Sequence, residues 1–310
     1  MTFSYKIKEE ISKVDSTRLE KISELSGILR TNSDIKMYCI RVQTENINVA
    51  NRIFKTVKEL YDVTCNITVR KNYNFKKNEI YIIEIKKDVL KIIKDLGFVK
   101  DNSIKLLDVP SEEIVSDDQL KRAFLRGCFL ISGSVNDPKT SRYHLEFLID
   151  KVEYAKFLCD LLNYFKLNAK VLRRKKGHMV YIKESEKISD LLKLIKAYEG
   201  VLYYEDIRIY REKVNMNNRI NNCEQANIEK TLNSALSQIK DINLIKAHDA
   251  FDLLDEKLKT VANYRVKYSE SSLVELSEII SLETGVKMTK SCLNHRLRKI
   301  KELAAKLKDN

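Results

Sequence analysis

Two stretches of this 310-residue chain concentrate positive charge with no acid among it. Seven basic residues lie between Lys166 and Lys183, and six between Val286 and Lys301. The whole chain carries 57 Lys and Arg against 44 Asp and Glu, a formal net charge of +13. Acid-free basic windows attract polyanions, nucleic acid first and an anionic membrane surface second. The C-terminal window offers Lys287, Lys290, Ser291, Asn294, His295, Arg298, Lys299 and Lys301. Arginine can read guanine and asparagine adenine, whereas lysines clamp phosphates, which positions a protein without specifying sequence. Further upstream, Arg70, Lys71, Lys76 and Lys77, and then Arg173, Arg174, Lys175 and Lys176, are candidate accessory phosphate contacts.

Other chemistry is poorly supplied. Six cysteines (Cys39, Cys65, Cys128, Cys159, Cys223, Cys292) show no Cys-x-x-Cys spacing, and none of the four histidines stands at metal-ligand spacing from another. Reduced thiols, no metal and no cofactor are expected. No apolar run approaches the length of a bilayer crossing, and the charged, amphipathic Met1–Val14 lacks the core of a signal peptide. The expected location is the cytoplasm, at the nucleoid, with no membrane partner.

The elements that must position these residues alternate. Asp15 or Ser16 can cap a helix through Leu19, Ile22, Leu25, Ile28 and Leu29; Met37–Val42 reads as a strand and Asn46–Leu60 as a helix. Val63–Val69 and Ile80–Ile85 read as paired strands, with a short helix at Val89–Leu96. The order then recurs: a helix at Gln119–Ile131, a strand at Tyr143–Ile149, a helix at Val152–Phe165, and a hairpin of Ala169–Arg174 and Met179–Lys183 around Lys176-Gly177. A helix at Ser185–Ile195 closes the second copy. Leu25-Ser26-Gly27 aligns with Leu125-Arg126-Gly127, so the chain carries an internal duplication. That built-in pseudo-twofold makes a monomer the expected state.

The paired stretches Leu25–Ser33 and Leu125–Gly133 resemble the two motif helices of LAGLIDADG homing endonucleases. In that family the acid before the final glycine of each motif binds the catalytic metal; here those positions hold Asn32 and Ser132. One amide and one hydroxyl cannot replace two anionic ligands of a hard cation. Asp34 and Asp137 lie beyond the motif ends, so no catalytic residue is assigned. A closer resemblance is carried by Phe124–Asn136, by Ser141-x-Tyr143-His144-Leu145-Glu146, and by Tyr204–Ile209. It continues through Asn221–Asn227 and Asn294–Ile300. These stretches are similar to the WhiA family of sporulation and cell-division regulators. That resemblance implies an α+β fold of tandem LAGLIDADG-like αββαββα repeats forming a saddle of two sheets, followed by an all-α helix-turn-helix domain. It also implies a contact with RNA polymerase or a sigma factor, because the helix-turn-helix is related to a sigma-factor domain.

The helix-turn-helix is also legible directly. Ser272 and Glu275 form a capping box before Leu273, Leu276, Ile279 and Ile280; Thr284-Gly285 makes a stop; and Thr289 or Ser291 can cap the next helix. On that helix Leu293, Leu297, Ile300, Ala304 and Leu307 form one stripe, opposite Ser291, Asn294, His295 and Arg298. The expected division is 1–212 for the duplicated domain (repeats about 15–100 and 117–200), an Asn-rich linker at 213–223, and a helical domain at 224–310 with the helix-turn-helix at about 272–305. The expected function is sequence-specific binding of double-stranded DNA to regulate transcription in cell division, chromosome segregation or sporulation, without nuclease activity. Two alternatives stay open: a protein-interaction scaffold acting in division, and a metal-dependent DNA endonuclease.

Overall fold

The computed structural model describes residues 2–72, 78–99, 106–140 and 142–308. Lys76, Lys77 and Ser141 lie outside these residues. The chain divides into two compact units, 1–211 and 212–310.

The first unit holds two copies of one pattern. Helix α1 (Phe3–Ile11) precedes the first copy, which runs α2 (Arg18–Thr31), β1 (Ser33–Lys36), β2 (Cys39–Thr44), α3 (Ile47–Tyr61), β3 (Asn66–Asn72), β4 (Asn78–Ile85) and α4 (Val89–Asp95). A 3-10 turn at Glu112–Val115 leads to the second: α5 (Asp118–Ser132), β5 (Gly133–Val135), β6 (Leu145–Ile149), α6 (Val152–Tyr164), β7 (Lys170–Arg173), β8 (His178–Ile182) and α7 (Ser185–Leu194). Each copy is therefore αββαββα. Each makes a four-stranded antiparallel sheet, ordered β1-β2-β4-β3 and β5-β6-β8-β7. One face of each sheet is apolar: Ile83 pairs with Val42 and Ile67, and Val180 with Phe147 and Val171. Both inner faces drain into one core that also takes Leu25, Ile28, Phe124, Leu125 and Phe129 from α2 and α5.

Local chemistry departs from the sequence expectation in four places. Helix α2 is capped by neither Asp15 nor Ser16 but by Thr17, whose hydroxyl accepts from the Glu20 amide while Glu20 answers the Thr17 amide at 2.8 Å. Ser16 instead serves two arginines. Leu19 is 63% exposed and leaves the expected apolar stripe. The single strand expected over Met37–Val42 is a hairpin, in which Met37 and Tyr38 form the exposed turn between β1 and β2. Alternation could not show this, because β1 is four residues long and each edge position is polar or half-buried.

The fourth departure is the expected linker. Helix α8 runs unbroken from Tyr198 to Ala247, so residues 213–223 are helical, and they are exposed. Asparagine is only a few tenths of a kcal/mol worse than alanine in a helix, and the stretch holds no glycine or proline to stop it. The second unit continues with a 3-10 turn (Phe251–Leu253), α9 (Glu256–Lys267), α10 (Leu273–Thr284) and α11 (Lys290–Lys308). Its separate core joins Ile242 and Ile245 of α8 to Val261, Leu276, Ile280, Leu293, Leu297, Ile300 and Ala304.

Candidate nucleic-acid interface

The C-terminal unit builds its surface from caps and a buried stripe. Ser272 and Glu275 close both halves of the capping box that starts α10. Gly285 ends it at φ 70°, a left-handed conformation that suits glycine. The turn that follows is tied back to α10: the Met288 amide donates to the Ser281 hydroxyl at 2.8 Å, and that hydroxyl donates to the Ser277 carbonyl. Thr289, rather than Ser291, then caps α11 by accepting from the Cys292 amide at 3.2 Å. On the other side of α10, buried Arg265 donates to the Ser271 carbonyl at 2.7 Å and so holds the entry loop.

Helix α11 is fastened by its apolar stripe. Leu293, Leu297, Ile300 and Ala304 are at most 3% exposed, and Leu307 packs against the same core. Burying each large side chain stabilises by roughly 1.5–3 kcal/mol, so the helix has one preferred rotation about its axis. That rotation leaves Lys290, Ser291, Asn294, His295, Arg298, Lys299 and Lys301 exposed, and Lys287 exposed in the turn before them. Among the described residues none of these eight makes a hydrogen bond or ion pair with a side chain of this unit. The arrangement is a helix presenting cations, an amide and an imidazole, with its N-terminal turns at the front. Such a surface can dock in a major groove.

In the first unit the two motif helices cross at their glycines. A Cβ on Gly27 would strike the Phe124 carbonyl, and one on Gly127 the Glu24 carbonyl, both unyielding backbone. Beside this crossing lies a charge cluster that sequence reasoning missed. The Glu24 carboxylate, 2% exposed, receives Arg126 at 2.6 Å on one oxygen and also pairs with Arg52. Arg52 donates further to the Ser12 and Val14 carbonyls at 2.9 and 2.8 Å. The available signal was Glu24 directly before the first Leu-x-Gly and Arg126 inside the second, in helices that must pack closely there.

The lost acid positions behave as their chemistry suggests. Asn32 is exposed just past the end of α2, and Ser132 is the last residue of α5, its hydroxyl buried with no hydrogen-bond partner among the described residues. Neither neighbouring acid substitutes for them. Asp34 sits on β1 opposite Arg41 and pairs with Lys36, and Asp137 accepts from the Lys139 amide and the Tyr203 hydroxyl. Among the described residues no three His, Cys, Asp or Glu side chains come together as metal ligands.

The accessory cations are unequal. Arg70 and Lys71 are exposed on β3, and Arg173, Lys175 and Lys176 on the β7–β8 hairpin. Arg174 already faces Glu146 at 3.7 Å. No described helix is long and apolar enough to cross a membrane.

Twin αββαββα repeats sharing a glycine-crossed helix pair, with a helix-turn-helix after them, define a LAGLIDADG-like protein with a C-terminal helix-turn-helix domain. Family models agree along the chain: the WhiA N-terminal LAGLIDADG-like domain over residues 5–99, the WhiA LAGLIDADG-like domain over 121–214, and the WhiA C-terminal HTH domain over 217–304. The chain is 41% identical over 312 residues to the probable cell division protein WhiA of Staphylococcus carnosus (strain TM300), covering 99% of this chain and 98% of that one. It is equally similar to the probable cell division protein WhiA of Staphylococcus aureus (strain JH9), at 41% over 313 residues, 100% and 98% of the two chains. The crystal structure of full-length DUF199/WhiA from Thermatoga maritima matches with a TM-score of 0.61 at 28% identity over 99% of both chains. The N-terminal LAGLIDADG domain of DUF199/WhiA matches 63% of this chain and 90% of its own length, with a TM-score of 0.51 at 28% identity. The chain belongs to the WhiA family.

Proposed function

We propose that this chain is a sequence-specific DNA-binding regulator acting in cell division, and that it does not cut DNA. The observation that carries this reading is the exposed face of α11, where Ser291, Asn294, His295 and Arg298 stand opposite the buried Leu293–Leu297–Ile300 stripe. Arg298 and Asn294 are assigned to base edges, with Ser291 and His295 beside them; Lys287, Lys290, Lys299 and Lys301 are assigned to phosphates. The relatives' description as probable cell division proteins supports the process. Arg70, Lys71, Arg173, Arg174, Lys175 and Lys176 act as accessory phosphate contacts, with Arg174 weakest because Glu146 already neutralises it. Cytoplasmic, nucleoid-associated localisation follows from double-stranded DNA as the partner.

Genome-wide immunoprecipitation followed by gel shift on an enriched promoter fragment tests the reading. Specific binding that falls steeply with salt is expected. Arg298→Ala leaving sequence preference intact overturns the base-reading assignment, and recovery of no enriched site overturns the function. Cleavage has its own assay: supercoiled plasmid incubated with magnesium stays intact, because Asn32 and Ser132 offer a hard cation no anionic oxygen.

A further inference from the structure

Helix α10 is apolar on two sides. Leu276 and Ile280 sit in the core of the second unit, and Leu273 packs against it. On the opposite side Val274 and Leu282 stand at four-residue steps either side of Glu278, and Val286 follows in the turn after Gly285. These three apolar side chains are 46%, 84% and 66% exposed. Ile279, beside them on the helix, is half-buried. One apolar side is enough to fasten a surface helix to its core, and a helix that is apolar all round is ordinarily covered all round. The outer stripe is more than packing within this chain requires, and exposed apolar side chains gathered on one face mark a contact surface.

The charge here is the reverse of that on the neighbouring helix. Residues 270–286 hold four acids and no lysine or arginine, whereas 287–301 hold six basic residues and no acid. Two of the acids are already engaged: Glu283 meets Lys267 and the Tyr268 hydroxyl, and Glu275 closes the capping box. Glu278, in the middle of the apolar stripe, is exposed and has no hydrogen bond or ion pair among the described residues. Its carboxylate repels a nucleic-acid backbone, so DNA is the wrong occupant for this face. A free carboxylate between apolar side chains is complemented by a cation set beside an apolar group.

We propose that the outer face of α10 docks a protein segment of that complementary make-up, with apolar side chains against Val274, Leu282 and Val286 and a lysine or arginine meeting Glu278. One side of a basic amphipathic helix has this pattern. The surface goes beyond the DNA-binding reading and does not depend on it. None of the residues assigned to DNA belongs to it, so a protein held on α10 leaves the exposed face of α11 its own task.

Photocrosslinking of the full chain in cells tests it, with a photoreactive phenylalanine analogue in place of Leu282 and, as the reference, the same analogue in place of exposed Leu236 on α8. Mass spectrometry identifies what each position captures. The Leu282 position is expected to give about fivefold more product than the Leu236 position, and to join another protein through a peptide with lysine or arginine beside an apolar residue. Glu278→Lys should lower that yield by about tenfold and Glu278→Gln by a few-fold. Melting should be unchanged in both, because the side chain is exposed and unpaired among the described residues. Should Glu278→Lys fail to fold, Glu278→Gln carries the test. Four outcomes overturn the proposal: a Leu282 yield no higher than that at Leu236, a captured peptide without basic residues, capture of DNA or of a second copy of this chain, or a yield that neither Glu278 variant lowers.

Discussion

Arg126 and Arg298 show how differently one residue type is used in the two units. Both are helical arginines inside the stretches that make the chain look like a DNA-binding protein. Arg126 is wholly buried, held by Glu24 at 2.6 Å and Ser16 at 2.8 Å beside the glycine crossing of α2 and α5. Arg298 is exposed on the face of α11 that its apolar stripe turns outward. The first has been absorbed into the fold, and the second is available to a partner. A charge reports function only once the burial of its helix face is known, because a buried arginine is already neutralised and desolvated.

The comparison is most sharply tested at Glu24. Glu24→Leu strips the carboxylate from Arg126 and Arg52 and leaves buried cations without a counter-charge, so it should destabilise the chain by about 3–5 kcal/mol, seen by chemical denaturation. An unfolding free energy unchanged within error would show that the cluster is not structural. Gly127→Ala comes next: its Cβ meets the Glu24 carbonyl, and prising the helix pair apart should cost about 1–3 kcal/mol.

On the other unit the effect should appear in binding and spare the fold. Arg298→Ala should lose about 1–3 kcal/mol of discrimination between cognate and altered sites, with melting unchanged. Lys301→Ala should weaken binding about equally on all sequences and lower the salt slope by about one. A melting-temperature loss in either variant would place that side chain among the buried kind instead.

The smallest expected effect is at the start of α10. Ser272→Ala removes the cap and should cost about 1 kcal/mol. The Ser272 amide, donating to Glu275, holds that carboxyl below its usual value. A depressed carboxylate stabilises above its unfolded pKa and loses that contribution as pH falls through the folded one. The wild type should therefore lose part of the cap's benefit as pH falls below the ordinary glutamate range, whereas Glu275→Gln, which removes the carboxylate, should show a flatter acid limb in melting against pH.

Much of this was legible in the residues because it rests on local rules. The capping box of Ser272 and Glu275, the Gly285 stop, the stripe from Leu293 to Ala304 and the strand pair expected over 63–69 and 80–85, which forms at Asn66–Asn72 and Asn78–Ile85, depend on spacing within a few residues. The duplicated Leu-x-Gly was legible too, since close helix packing needs glycine at the crossing. The misses involve partners far apart in sequence or competition between neighbours. Thr17 outcompetes Ser16 as a cap while Ser16 turns to two arginines. The Asn-rich 213–223 stretch stays helical because nothing in it ends a helix.

The sequence by itself determined the periodic elements, the duplication, the loss of acids at positions 32 and 132, and which residues of the last helix oppose its apolar stripe. Only the tertiary structure decided that Glu24, Arg52 and Arg126 meet, although Arg52 and Arg126 lie 28 and 102 residues from Glu24. It alone also set Lys8 against the end of α5, its ammonium donating to the Ile131 carbonyl 123 residues away. Helix and strand patterns are read from neighbours a few residues apart, whereas buried charges are satisfied by whichever distant groups packing delivers.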